Sequence, residues 1–386
     1  MNALNSELIV EKNRSTNIMR RPQLSQGWIV HEDKNSTLDF ESIKRLLRFI
    51  SGIHNKFHTH RPMLSISFPS VQAVDKLTLQ VLESILYSLI NDYGHKVTVY
   101  IQLDPQIHSE GFKYSPLHHL SLYGYNAEQF NKSYETDMRL SHYRRVVPKE
   151  WTYNGELGDY IIPDVMSTLS HYVDDENYAF TLAEVITELV NNANEHNAAD
   201  CLLDLDITGN YRKSDGSEGN YIGINVSIIG FANTYIFEPL KEKISTKKYR
   251  GDRYDKIADV YETHKRFFGA DYSDTDFFTI AAFQDKISGR ASYSSSGGTG
   301  LTKLLQSLEK YSDSSMCYMV SDKKALYFFK EILDYDEEGW IGFNLEHDFL
   351  NKPPAPFAFR ESPIMFPGIG YNLTFVYKKG AGSDVN

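Results

Sequence analysis

The chain has 386 residues, 41 % of them hydrophobic and 24 % charged, with a formal net charge of −11. This length favours two domains, and the composition is that of a folded protein rather than a disordered one. The acidic balance argues against a nucleic-acid partner, since a phosphate-facing surface needs many Lys and Arg side chains. Two distant cysteines, Cys201 and Cys317, exclude a disulfide framework and a cysteine-rich zinc site.

The N-terminal segment has no positively charged start followed by an apolar core, as a signal peptide would have. No apolar run reaches the ~20 residues that span a bilayer. We therefore expect a cytoplasmic protein without a membrane partner. The first twenty residues are polar, and we expect them to be loosely structured.

The first half of the sequence predicts a small α/β layer. Helical spacing covers 41–57 and 74–93, while alternating or β-branched patterns predict strands over 63–68 and 96–103. A strand–helix–strand run of this kind forms a right-handed crossover between parallel strands. The pattern weakens after residue 137, and we place the junction between domains 1–147 and 148–386.

The second half alternates helices and strands around two polar loops. Strands are predicted over 201–207, 221–229, 316–321 and 371–377, and helices over 163–173, 180–197, 254–268, 275–286 and 301–311. Helix 180–197 is the most informative. Its apolar positions recur every three or four residues and should face the core: Leu182, Ile186, Leu189 and Ala193. Four polar side chains form a stripe along another face: Glu184, Glu188, Asn192 and His196.

Three asparagines lie close together in this helix, at positions 191, 192 and 194. Each Asn costs roughly 0.5 kcal/mol in a helix interior, so their accumulation points to a role. A solvent-facing stripe on an amphipathic helix, or fraying at the helix end, is the alternative interpretation.

A glycine-rich run, SSSGGTGL at 294–301, leads directly into the helix over 301–311. Glycines let backbone N–H groups approach phosphate oxygens, and a helix N-terminus favours an anion. The spacing is not that of a P-loop. A simple hinge is the alternative.

The sequence ELVNNANEH at 188–196 resembles the N-box of the GHKL superfamily, which includes sensor histidine kinases, anti-sigma-factor kinases, DNA gyrase and the ninety-kilodalton heat-shock chaperone. The resemblance implies that Asn192 holds the Mg²⁺ that bridges the ATP phosphates. It further implies that Glu188 is the general base on the attacking water and that His196 faces the phosphates. Amide and carboxylate oxygens suit these tasks chemically.

The glycine-rich run resembles the G2 box that ends the ATP lid in this superfamily. The resemblance implies phosphate contacts for five consecutive residues: Gly297, Gly298, Thr299, Gly300 and Leu301. It also assigns Gly230 and Asn233, in the stretch 226–234, to the nucleotide site. That stretch lacks the acid that reads adenine in the family, because the position holds Ile228 or Gly230. Weak ATP binding, another nucleotide, or lost binding are the open alternatives.

Two further stretches resemble known modules. FPGIGYNLTF at 366–375 resembles the final strand of bacterial GHKL domains, and the first domain resembles STAS-like modules. The resemblance implies an α/β (α+β) protein: a small STAS-like α/β domain, then a GHKL sandwich with helices on one face of a mixed sheet.

The implied function is that of an Mg²⁺–ATP-binding regulatory protein, with slow ATP hydrolysis and a lid over 238–296 that closes on the phosphates. Bacterial proteins of this make-up occur in stress-signalling and phage-defence loci, and the STAS-like module would bind a protein partner. The alternatives are an anti-sigma-type serine/threonine protein kinase and a degenerate, non-catalytic scaffold. Whether the chain forms a homodimer is left open.

Overall fold

The computed structural model describes residues 4–16, 23–25, 27–57, 60–71, 73–103, 113–197, 199–213, 215–287, 300–313 and 317–380. Helices and strands both contribute throughout, so the expected α/β (α+β) class is confirmed. None of the helices in these ranges is both long enough and apolar enough to cross a bilayer.

The described residues of the N-terminal part form four α-helices and six strands. In chain order they are α1 (Glu7–Lys12), β1 (Leu24–Ser25), β2 (Trp28–Glu32), β3 (Thr37–Leu38), α2 (Phe40–Lys56), β4 (Leu64–Val71), β5 (Ala73–Val74), α3 (Lys76–Asn91), β6 (Val97–Leu103) and α4 (Ala127–Glu135). A short 3₁₀ helix, Pro116–Leu120, precedes α4.

The C-terminal part begins with a β-hairpin, and its described residues then form seven α-helices and four further strands. In chain order its elements are β7 (Thr136–Arg139), β8 (His142–Val147), α5 (Lys149–Tyr153), α6 (Leu157–Leu169), α7 (Glu176–Asn197), β9 (Cys201–Tyr211), β10 (Tyr221–Gly230), α8 (Glu238–Thr246), α9 (Asp252–His264), α10 (Asp274–Ala281), α11 (Gly300–Tyr311), β11 (Tyr318–Tyr327) and β12 (Phe359–Lys378).

The small sheet has the order β1-β2-β4-β6, in which β2, β4 and β6 run parallel. Helix α3 connects β4 to β6, as the strand–helix–strand pattern predicted. Asp75 caps α3 by accepting a hydrogen bond from Thr78 N at 2.7 Å, which explains where the helix begins.

The expectation of a loose N-terminus is wrong for α1. Its apolar residues Leu8, Ile9 and Val10 are buried. Just beyond the helix, the Asn13 amide donates to Met365 O at 2.7 Å and accepts from Met365 N at 2.8 Å. These two bonds tie the start of the chain to β12.

The large sheet has the order β11-β12-β10-β9-β8-β7, and all five pairings are antiparallel. The expectation of a mixed sheet is therefore wrong. Short connections join β7 to β8 and β9 to β10, and a short hairpin connection requires antiparallel strands.

Sheet membership also changes the expected junction at residue 147. The hairpin of β7 and β8 lies N-terminal to that junction, yet β8 pairs with β9 from His142↔Asp206 to Val147↔Cys201. The hairpin therefore belongs to the large sheet, which begins at Thr136. Its sequence, with three Arg and an Asp among its twelve residues, carries no strong strand signal.

Helices cover both faces of the large sheet, whereas the resemblance implied one. Side chains alternate along a strand, so Leu203 and Ile228 face the core around α6, α7 and α11. Their neighbours Leu202 and Ile229 face the opposite way and pack with α1, α2 and α3. The N-terminal helices therefore form the second cover of the sheet.

A buried charge network joins α3 to the large sheet. Lys76 Nζ donates to Asp204 Oδ1 and to Asp206 Oδ2, both at 2.6 Å. Arg144 donates to Glu83 Oε2 at 2.6 Å and also to Asp204. All five side chains are at least nine-tenths buried, so their charges are held by one another rather than by water.

His142 completes the network. Its Nδ1 lies 2.8 Å from Asp137 Oδ2 and its Nε2 lies 3.0 Å from Asp204 Oδ1. Burial alone would lower the pKa of His142, but the charge of Asp204 and the hydrogen bonds to both carboxylates outweigh it and raise the pKa. A ring that donates from both nitrogens is protonated, so it adds a third cation.

Replacing Asp204 with Asn should strongly destabilise the fold. The substitution leaves Lys76, Arg144 and His142 with too little negative charge in a buried site, which costs about 3–5 kcal/mol. Urea unfolding would show this as a lower free energy of unfolding. Asp215→Asn, at an exposed ion pair with Lys213, is the matched control and should leave it unchanged. Equal stability of the two variants would contradict the role of the network.

His31 and His54, in the N-terminal part, are half-buried in the neutral form. His31 packs against Phe49 and Phe68, and burial lowers its pKa to about 4. His54 lies 3.3 Å from His95 between the Nε2 atoms, and burial, with the nearby His95, lowers the pKa of His54 to about 4. The pKa values of both histidines in the folded protein lie below the usual 6.5. The two neutral side chains therefore contribute fully to stability above pH 6.5, and this contribution is lost as the pH falls towards 4.

His31→Phe should therefore reduce the acid sensitivity of the protein. At pH 5 the neutral His31 removes about 1–2 kcal/mol of stability relative to pH 7. The measurement is the free energy of unfolding at both pH values. Phe fills the aromatic site without titrating, whereas His171→Phe, at an exposed position, should keep the wild-type pH dependence. A wild-type pH dependence in His31→Phe would contradict this assignment.

Candidate functional site

Helix α7 has the two faces that the sequence predicted. It begins where Asp175 Oδ1 accepts a hydrogen bond from Tyr178 N at 3.0 Å. The predicted apolar stripe is buried in the core: Leu182, Ile186, Leu189 and Ala193. Three members of the polar stripe are half-buried along the side of the helix: Glu184, Glu188 and Asn192.

The three clustered asparagines differ in their contacts. The Asn194 amide is fully buried and donates to Thr152 Oγ1 at 3.2 Å, which ties α7 to α5. The Asn191 amide lies 3.4 Å from Glu195 Oε1, one turn along the same helix. Asn192 makes no hydrogen bond with another residue in the described ranges. Asn191 and Asn194 thus have hydrogen-bond partners that offset their unfavourable helix propensity. No such hydrogen bond within the described residues offsets the cost of placing Asn192 in the helix.

Helix α11, which follows the glycine-rich run, packs antiparallel to α7. Lys303 Nζ lies 3.6 Å from Glu184 Oε2, and eight residues later Tyr311 makes an edge contact with Tyr178, with ring centroids 4.7 Å apart. A helix rises about 1.5 Å per residue, so Gly300 lies level with about Glu188. The end of the glycine-rich run and the polar stripe therefore occupy the same stretch of α7.

Several predicted site residues lie outside the described part of the chain. Gly297, Gly298 and Thr299 belong to the gap between residues 287 and 300. His196 lies in the last turn of α7, and its side chain is not described. Of the predicted phosphate contacts in the G2 box, Gly300 and Leu301 can be placed, in the first turn of α11.

The end of β10 carries no acidic side chain, because the stretch 226–234 contains no Asp or Glu. Ile228 is fully buried in the core below α7. Gly230 closely approaches Gly368, where φ is +87° and an added Cβ would lie 2.1 Å from Gly230 O. Asn233 is exposed beyond the strand end. No carboxylate therefore takes the place of the adenine-reading acid within the stretch 226–234.

The expected lid over 238–296 is largely part of the core. Helices α8, α9 and α10 bury a continuous set of apolar side chains, among them Leu240, Ile257, Phe277 and Ile280. The lid itself stays a prediction for residues 238–287, and residues 288–296 lie outside the described part of the chain.

The connection between β11 and β12, residues 328–358, holds these helices in place. The Arg253 guanidinium stacks on the Trp340 ring at 3.9 Å and donates to Gly339 O at 2.9 Å. His264 Nε2 donates to Phe349 O at 2.8 Å. These contacts make α9 and the connection one packed unit.

A surface groove of about 470 Å³ lies between α6 and the first turns of α7, where Pro163, Met166, Asp174 and Ala179 are among its lining residues. Thirteen residues separate Ala179 from Asn192, or about 20 Å along the helix. The groove is therefore separate from Asn192.

The polar stripe suits a metal only in combination with a ligand. In the described ranges, no group of three or more His, Cys, Asp or Glu side chains could hold a metal ion. Mg²⁺ commonly takes one or two protein oxygens together with phosphate oxygens and water. The Asn192 amide, half-buried and without another partner in the described ranges, fits that coordination.

The fold and the site together define an antiparallel six-stranded sheet with helices on both faces and a polar helix stripe beside a glycine-rich segment. No family model, curated protein or solved structure matches the chain.

Sequence reasoning missed Lys303 as a contact of the polar stripe of α7. Its place one turn after Gly300, on a helix with amphipathic spacing, was the available signal.

Proposed function

We propose that this chain binds an Mg²⁺–nucleoside triphosphate, in the first instance ATP, between α7 and the start of α11. It would act as a GHKL-type regulatory protein with slow ATP hydrolysis. The observation that carries the proposal is the pair Glu188 and Asn192. Both are half-buried on one helix side, lack a partner in the described ranges, and lie beside the helix that follows the glycine-rich run.

Each group has a chemical task in this proposal. The Asn192 amide oxygen is the protein ligand of Mg²⁺, which would neutralise part of the phosphate charge. Glu188 lies about 6 Å further along the axis, and its carboxylate takes a proton from the attacking water. The N-terminus of α11, with Gly300 at its first position, offers backbone N–H groups to the phosphates.

The N-terminal part is the proposed partner-binding region. Helices α1, α2 and α3 face the large sheet, so a partner would meet the other side of the small sheet or its edges. Regulation in bacterial stress signalling or phage defence is compatible with this arrangement.

A nucleotide-free scaffold is the second candidate, and Ile228 favours it. A fully buried isoleucine replaces the expected adenine-reading acid. Calorimetric titration with Mg²⁺–ATP separates the two candidates: saturable heat supports nucleotide binding, whereas no heat and no thermal shift leave the scaffold.

Asn192→Ala should weaken Mg²⁺–ATP binding by at least roughly tenfold and leave stability unchanged, because it removes a metal ligand and no other described contact. Calorimetry and thermal unfolding measure the two effects. Asn194→Ala is the matched control two residues away. It should lower the free energy of unfolding by about 1–2 kcal/mol and retain affinity, because its contact with Thr152 is structural. Equal affinities for Asn192→Ala and wild type would remove Asn192 from the site.

Glu188→Gln should slow ATP hydrolysis by about 10²–10⁴-fold and preserve nucleotide binding, because the amide cannot accept the proton from water. Phosphate release and calorimetry are the measurements. Glu195→Gln, two turns along the same helix and beside Asn191, should hydrolyse ATP at the wild-type rate. Undiminished turnover in Glu188→Gln would refute its role as the base.

A further inference from the structure

A row of four side chains crosses the large sheet below α7. Strand pairing aligns Leu203 with Ile228, Ile228 with Tyr371, and Tyr371 with Met319. Directly paired residues point to the same face of a sheet, and all four lie in the core that α7 covers. Tyr371 brings the only polar atom of the row, beside the position where the sequence lacks an acid.

The Tyr371 hydroxyl has no hydrogen-bond partner in the described part of the chain, although its side chain is fully buried. Burial raises the pKa of Tyr371, so the hydroxyl stays protonated. An unpaired buried hydroxyl is unfavourable, and phenylalanine would fill the same space without that cost. The hydroxyl therefore needs an explanation that packing does not supply.

The depth of the row matches the polar stripe of α7. Leu203 lies two residues into β9, or about 7 Å from its start, and α7 enters β9 through a three-residue connection. Asn192 and Ala193 lie four to five residues before the end of α7, so their distance from the helix end is similar to that of Leu203 from the start of β9. Tyr371, two strands away in the same row, therefore faces the stretch of α7 that carries the proposed metal ligand.

We propose that the Tyr371 hydroxyl is the base-recognition group of the nucleotide site, in the role that an acid would otherwise take. The proposal rests on the function proposed above. The nucleobase would insert between α7 and the row containing Ile228, and the hydroxyl would make a hydrogen bond to its polar edge. Ile228 contributes an apolar contact to the base.

The chemistry of a hydroxyl defines the class of ligand. A carboxylate only accepts hydrogen bonds and requires the amino group of adenine, whereas a hydroxyl both donates and accepts. Tyr371 can thus accept from the amino group of adenine or donate to the keto oxygen of guanine. The expected ligands are purine nucleoside triphosphates, and the affinities for ATP and GTP should differ by less than roughly tenfold, since either hydrogen bond is worth a similar amount.

Tyr371→Phe tests the role of the hydroxyl, and Tyr178→Phe is the matched control. Tyr178 is also buried with an unpartnered hydroxyl in the described ranges, but it lies in the first turn of α7. The probes are Mg²⁺–ATP, Mg²⁺–GTP and Mg²⁺–tripolyphosphate, which has no base. Calorimetry gives the affinities, and thermal unfolding confirms that each variant is folded.

Tyr371→Phe should bind both nucleotides roughly 3- to 10-fold more weakly, the effect of one neutral hydrogen bond, and should bind tripolyphosphate as wild type does. Tyr178→Phe should match wild type for all three probes. Unchanged nucleotide affinity in Tyr371→Phe, or an equal loss for tripolyphosphate, overturns this inference alone. A wild-type protein that binds neither nucleotide overturns the proposed function, and this inference with it.

Discussion

The ion pairs between α3 and β9 are the constraint on which the rest of the architecture depends. Asp204 and Asp206 point to one side of β9, towards Lys76, while Leu203 and Leu205 point to the other, towards α7. One strand therefore carries the polar attachment of the N-terminal part and the floor of the candidate site. Any shift of β9 would disturb both.

Such a network determines how α3 is aligned on the sheet more than it adds to the free energy of unfolding. Desolvating the buried charges offsets much of their mutual attraction, so apolar residues of similar volume would hold the two parts together as well. A one-residue slip of β9 would instead place both carboxylates in the apolar core below α7. The charges thus allow a single alignment of α3 on the sheet. Leu77, whose backbone N donates to Asn372 at 3.1 Å, strengthens the same alignment.

Local periodicity made much of the fold predictable. The spacing along α2, α3 and α7 is strong enough to predict each helix and, for α7, its buried side. The hairpin of β7 and β8 was not predicted, because Arg144 and His142 are buried through Glu83 and Asp204, which lie far away in the sequence. Strand direction and the second helical cover also depend on long-range packing, which periodicity does not encode. The short helix α1 has too few apolar residues for a pattern.

The candidate site also has one part that local periodicity predicts and one part that depends on long-range packing. Glu188 and Asn192 are four residues apart on one helix, so their shared side follows from helical geometry alone. Tyr371 comes next to Ile228 only through the register of β10 and β12, across more than one hundred residues of chain. The phosphate end of the proposed site could thus be predicted from sequence, whereas its base end required the sheet. Because α7 and β12 pack around the same core, the two ends are held on one frame.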